Sequence, residues 1–158
     1  MNAEEVLDAL ERYFADPYLF LREVRVGTGY GNKVEQRIDA WAIHPWPSEH
    51  YVTHAMEVKV SRADWNRELR NPIKRIAAMT LCDFFWIVTP VGIVKREELP
   101  PGVGLMEVVG GERGVIHKLV EAPMLDRPEP NWGFTCSLIR AAMRGNDLMR
   151  AAVKKGKR

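Results

Sequence analysis

Cysteine is scarce in this chain: 158 residues hold two, Cys82 and Cys136, too few for a disulfide-stapled scaffold. Each falls in an apolar or amphipathic stretch and reads as a reduced core thiol of a cytosolic protein. Long hydrophobic runs are missing too, since none approaches the roughly 18 apolar residues of a membrane helix. The acidic start, Met1-Asn2-Ala3-Glu4-Glu5, lacks the basic-then-apolar order of a secretory signal. There are no internal repeats and no linker marking a second domain, so residues 1–158 read as one domain. Net charge is only +2, and composition alone does not announce a nucleic-acid binder. What is present is a hydrophobic content of 46%, enough for a real core in a chain of this size.

The hydrophobic pattern changes period along the chain. Val6, Ala9, Leu10 and Tyr13 recur at helical spacing and predict a helix over residues 3–14. Residues 19–26 alternate as a strand, and Gly27-Thr28-Gly29-Tyr30-Gly31-Asn32 reads as a plain glycine loop, with no helix behind it to make a phosphate cradle. Residues 38–43 and 51–60 are strands joined by a proline-containing hairpin connection over 44–50. Ser61 and Asp64 have cap spacing, and a helical pattern follows to Leu81, broken at Pro72 with Asn71 expected to cap the second piece. The near-continuous apolar run 83–90, ended by Pro90, has the signature of a buried central strand. Strands are expected at 103–109 and 115–120. A connection with Pro123, Pro128 and Pro130 then leads to a helix near 137–144, which Gly145-Asn146 would stop or kink. This order predicts a single-domain α/β fold with a central mixed β-sheet flanked by helices and a basic tail over about residues 150–158.

Three charges sit in the wrong place for an ordinary hairpin. Asp39 lies inside Arg37-Ile38-Asp39-Ala40-Trp41-Ala42-Ile43, and Glu57 and Lys59 lie inside Met56-Glu57-Val58-Lys59-Val60-Ser61. Charges in half-buried strands are expensive unless paired. If the hairpin is symmetric about Ser48, position 39 faces 57, 41 faces 55 and 43 faces 53. Asp39 and Glu57 then become cross-strand neighbours with Cβ atoms about 5 Å apart. Lys59 shares their face, while Ile38, Ala40, Ala42, Met56, Val58 and Val60 form the opposite, core face. Two solutions relieve the abutting carboxylates. One is an ion-paired triad with Lys59; the other is a hard divalent cation such as Mg²⁺, held by the carboxylates and by phosphate oxygens. The second suits metal-assisted phosphodiester hydrolysis, in which a neighbouring lysine orients water and stabilises developing charge.

Asp39, seventeen intervening residues and then Glu57-Val58-Lys59 resemble the D…(D/E)xK motif of the PD-(D/E)xK nuclease superfamily, the restriction-endonuclease-like fold. The wider segment Glu57-Val58-Lys59-Val60-Ser61-Arg62-Ala63-Asp64-Trp65 is similar to MmcB-like bacterial and phage proteins linked to DNA repair. The resemblance spans about residues 20–108 and takes in the 84–88 strand and Gly104-Leu105; Ile38 stands where the superfamily usually has proline. It implies Asp39 and Glu57 as metal ligands with the Val58 carbonyl, and Lys59 as the catalytic lysine. Mg²⁺ is the implied cofactor, with Mn²⁺ as a substitute, and the implied setting is a bacterial or phage-encoded protein of the cytoplasm. Members often add a glutamate from the first helix or nearby, a role open here among Glu5, Glu11, Glu23 and Glu35. The implied activity is hydrolysis of DNA phosphodiester bonds in repair, recombination or phage DNA metabolism. The alternatives are a Holliday-junction-resolvase-like homodimer and a non-catalytic DNA-binding module.

Basic residues cluster behind the motif, with six between Lys59 and Arg75 against Asp64 and Glu68. Arg62 and Lys74 are expected nearest to phosphate. Arg67 and Arg70 extend that DNA-binding face or, with Arg75, solvate the helix's outer side. Arg150, Lys154, Lys155, Lys157 and Arg158 add a basic end. His44, His50 and His54 have a spacing that hints at zinc, but they read better as solvated histidines around the hairpin connection. Trp41 shares the face of Asp39, where it could stack a base, though packing under a helix is its expected role.

Overall fold

The computed structural model describes residues 1–26, 36–111, 113–126 and 129–156. The glycine loop at 27–32, Glu35, Pro128, Lys157 and Arg158 lie outside the described residues. Six strands make one sheet in chain order: β1 (Leu19–Arg25), β2 (Arg37–Ile43), β3 (Thr53–Val58), β4 (Phe84–Pro90), β5 (Val103–Val109) and β6 (Val115–Val120). β1, β2 and β3 run antiparallel, β3, β4 and β5 run parallel, and β6 returns antiparallel to β5. The sheet is therefore mixed, as the pattern predicts.

Helices cover both faces. α1 (Ala3–Tyr13) starts at a capping box, in which the Asn2 side chain accepts from the Glu5 amide and the Glu5 carboxylate accepts from the Asn2 amide. Its apolar stripe, Val6, Leu7, Leu10 and then Phe14, packs on Ala40, Ala42, Met56, Trp86 and Met106. On the other face α2 (Arg62–Arg70), α3 (Ile73–Met79) and α4 (Trp132–Gly156) bring Trp65, Ala78, Phe134 and Ala141 onto Trp41, Ala55, Phe85, Ile87 and Leu105. β4 is buried by both layers, which is why its sequence reads as continuously apolar. Trp41 is buried against the Phe134 ring, 5.0 Å between centroids, so it packs beneath a helix.

Several expectations need correction. Asn71 ends α2 rather than capping α3: its N–H donates to the Arg67 and Glu68 carbonyls, and Pro72 takes the N-cap position of α3 with no side-chain bond. The last helix runs for 25 residues, straight through Gly145. A glycine costs a helix only about 1 kcal/mol, and Ala, Met, Arg and Leu around it are strong helix formers. That helix begins where the Asn131 side chain accepts from the Phe134 amide, a cap that the proline-rich connection obscures. Ile38 packs with its partner Val24 in the second cluster instead of joining Ala40, at the sheet end where Glu23 takes φ 53° and interrupts the β1 alternation. Cys136 is exposed on α4, and only Cys82 is a core thiol. No described helix is long and apolar enough to cross a membrane.

Candidate active site

The β2–β3 register pairs Ala40 with Met56, Trp41 with Ala55 and Ile43 with Thr53, so one further step sets Asp39 opposite Glu57. This is the register that symmetry about Ser48 predicts. Asp39 Oδ2 accepts a hydrogen bond from the Val58 amide at 2.8 Å, tying the two strands together at the point where they carry charge. In an extended residue the carbonyl points to the same side as the N–H, so the Val58 carbonyl also faces the Asp39 strand.

Two ammonium groups converge on one carboxylate oxygen. Glu57 Oε1 accepts from Lys59 Nζ at 2.9 Å and from Lys74 Nζ at 2.6 Å, and Lys74 Nζ lies 4.0 Å from Asp39 Oδ1. Lys59 is fixed at its backbone by a 3.0 Å bond to the Val88 carbonyl of β4. Its Nζ also lies 3.2 Å from Glu68 Oε2, and Glu68 Oε1 accepts from Arg75 at 3.1 Å. Arg75, Glu68, Lys59, Glu57, Lys74 and Asp39 thus form a chain of alternating charge with no net charge. Such a buried chain balances Coulomb attraction against desolvation and adds little net stability.

Burial raises the carboxyl pKa of Glu57, and the neighbouring Asp39 charge pushes the same way, against Lys59 and Lys74. For Lys59 burial opposes the charged form, but Glu57 and Glu68 together outweigh it and hold the ammonium above its ordinary value.

These residues line an open cleft of about 380 Å³, walled on the sheet side by Asp39, Glu57, Val58 and Lys59 and on the helix side by Asp64, Arg67, Glu68, Asn71 and Lys74. The sequence-predicted core of the site is therefore brought together in one place, with Lys74 reaching it from α3. Arg67 reaches the cleft as well.

Arg62 does not. It turns away to the Glu98 carboxylate and to the Ile93 carbonyl, 3.0 Å from the latter. Arg70 is exposed on α2 and is not part of the cleft wall. None of the expected extra glutamates that are described lines the cleft. Glu5 closes the α1 cap, Glu11 binds Arg22, and Glu23 is exposed 3.5 Å from Arg37. The two on α1 sit behind the opposite face of the sheet.

The acid that the sequence reading passes over is Glu68. Its signal was present: Trp65 marks the buried side of α2, and Glu68 follows it by three residues on that same stripe. A carboxylate on the apolar face of a helix is a candidate for function in its own right. Among the described residues, no group of three or more His, Cys, Asp or Glu side chains is arranged to hold a metal ion. His54 is not a solvated loop histidine. It is buried in β3 among Phe14, Phe84 and Trp86, and its Nδ1 accepts from Trp86 Nε1 at 3.1 Å.

Fold and cleft together define a mixed-sheet α/β domain with a buried lysine–carboxylate cluster at the β2–β3 hairpin and its following helices. No protein-family model matches the chain, and no curated protein matches it. A solved structure does: a Silicibacter pomeroyi protein of unknown function, SPO1766, is similar with a TM-score of 0.70 at 15% identity, over 100% of this chain and 95% of that one. At that identity the likeness speaks for the fold.

Proposed function

We propose that this chain is a divalent-metal-dependent nuclease acting on DNA, with its site formed by Asp39, Glu57 and Lys59 in the manner of the PD-(D/E)xK superfamily that its motif resembles. The observation that carries the reading is Asp39 set opposite Glu57 across the hairpin, with Lys59 on the same carboxylate.

The donor set fits a hard cation. Among the described residues Asp39 Oδ1 and Glu57 Oε2 accept no hydrogen bond, so each carboxylate keeps one oxygen for a ligand. Two carboxylates with a backbone carbonyl suit Mg²⁺ or Mn²⁺, which complete their shells with water and substrate oxygens. Asp39, Glu57 and the Val58 carbonyl would hold the ion, which when bound supplies an acidified water and a Lewis acid for the phosphorus centre.

The chain's own groups do the rest. Lys59 Nζ stands beside Glu57, where it orients the attacking water and stabilises charge on the phosphate oxygens. Lys74 and Arg67 at the cleft wall draw in the DNA backbone and set its register.

A second reading has an observation in its favour. Lys59 and Lys74 already neutralise the carboxylates, so the cluster is also compatible with a DNA-binding module that performs no chemistry. One assay separates them: linear, nicked, branched and single-stranded DNA incubated with Mg²⁺ or Mn²⁺, comparing the parent with Asp39→Ala and Lys59→Ala. Cleavage by the parent that both variants lose supports the nuclease; cleavage that survives in both overturns the site. Binding without metal-dependent cleavage favours the module.

A further inference from the structure

Lys59 ends a flexible four-carbon stem, and Glu57 is its only partner on its own strand. One contact would leave the ammonium free to pivot about it. The second contact comes from another element, the Glu68 carboxylate of α2 at 3.2 Å. Glu68 divides its oxygens: Oε2 faces Lys59, while Oε1 is occupied by Arg75 of α3. Glu68 and Arg75 are both buried, at 6% and 7% exposure, so neither is a casual surface pairing.

Stapling α2 to α3 does not account for this arrangement. A buried carboxylate–guanidinium pair gives little net stability over apolar residues of the same volume. A second anchor does account for it, because Glu57 alone would leave the Lys59 ammonium free to pivot, and Glu68 fixes it from a second element. We infer that Glu68 is a positioning residue that acts through Lys59, with Arg75 fixing it from behind. The inference rests on the nuclease reading, and it adds a requirement that the D…ExK motif does not contain.

The test compares Glu68→Gln with the parent in the cleavage assay, alongside KM for DNA and the Mn²⁺-induced rise in melting temperature. The expected result is a kcat lower by on the order of 10- to 100-fold, with KM and the Mn²⁺ response within twofold of the parent. Glu68→Asp keeps the charge and is expected to fall between the two. A parental kcat in Glu68→Gln, a loss confined to KM, or a Glu68→Asp no better than Glu68→Gln overturns the inference and leaves the nuclease reading standing. Should Glu68→Gln fail to fold, a parental kcat in Glu68→Asp overturns it equally. A parent that cleaves no DNA with either metal overturns the nuclease reading, and the inference falls with it.

Discussion

Asp39 and Val58 are joined across the hairpin by a side-chain-to-backbone bond, the Asp39 carboxylate accepting the Val58 amide at 2.8 Å. The bond locks the register at the step where it matters. Slipping the hairpin by one residue would turn Glu57 and Lys59 to the opposite face. It also leaves Asp39 with one oxygen committed to the fold and one turned toward Lys74.

Removing that carboxylate therefore has two separable effects. Asp39→Ala orphans the Val58 amide and is expected to lower stability by about 1–2 kcal/mol. Asp39→Asn keeps an acceptor and should lose less. On the proposed metal-binding reading the parent gains melting temperature with Mn²⁺ and both variants lose that rise, because the charge is gone from each. Thermal melts with and without Mn²⁺ check this; equal destabilisation by Ala and Asn would mean that the hydrogen bond is not what Asp39 contributes to the fold.

Glu57 behaves in the opposite sense. Its folded-state pKa is raised by burial and by Asp39, so its contribution is most favourable at acid pH and is lost as pH rises through the folded value. Ionising Glu57 therefore costs the folded chain more than the unfolded one. Glu57→Gln is accordingly expected to melt no lower than the parent in the absence of divalent metal at pH 7–8, and to show no metal-induced rise. In that variant Lys59 retains Glu68, and Lys74 retains Asp39. Melting curves over pH 4–8 decide: a parent that gains on the variant as pH rises would reverse the sign argued here.

Much of this was legible in the sequence, for reasons that differ residue by residue. The strands were, because the largely apolar segments of β2 and β3 and the unbroken apolar run of β4 reflect coverage on both faces of the sheet. So was the pairing of Asp39 with Glu57, since a short hairpin centred near Ser48 has few registers. Arg62 was not: charge and proximity to the site say nothing about direction, and a carboxylate thirty-six residues ahead, Glu98, claims it. Glu68 was hidden for the complementary reason. A glutamate amid arginines on a polar helix looks solvated until Trp65 fixes which side faces the sheet. The 25-residue length of α4 was masked by one glycine whose cost is small beside the helix formers around it.

His54 supplies a pH dependence independent of the cleft. Burial first, and then Lys118, lower its pKa to about 4, with Asp83 opposing. An unfolded histidine titrates near 6.5. Below that value the unfolded chain binds a proton that the folded chain refuses. Stability is therefore full above pH 6.5 and falls as pH drops toward 4, by about 3 kcal/mol in all. His54→Gln still offers Trp86 Nε1 an acceptor but does not titrate. Its denaturant midpoint should change less between pH 6.5 and 4 than the parent's, even if it starts lower; parallel curves would remove His54 as the cause.

Arg62 and Arg67 lie five residues apart on α2 and are expected to differ in kind. Arg67 lines the cleft with its side chain 74% exposed, and it donates to Asp64 Oδ1 at 3.2 Å, an exposed pair of small net worth that a phosphate can displace. Arg62 is spent on Glu98, whose carboxyl it holds down at about 2, with help from the Lys95 backbone. On the proposed DNA-binding reading, Arg67→Ala should weaken binding for all sequences alike and reduce the slope of log K against log salt by about one. Arg62→Ala should leave affinity and slope near the parent's, while the Glu98 carboxyl returns toward the usual range by NMR titration. Fluorescence anisotropy with a labelled duplex across a salt series reads both variants. If Arg62→Ala carries the larger change in slope, DNA approaches α2 from its Glu98 side rather than through the cleft.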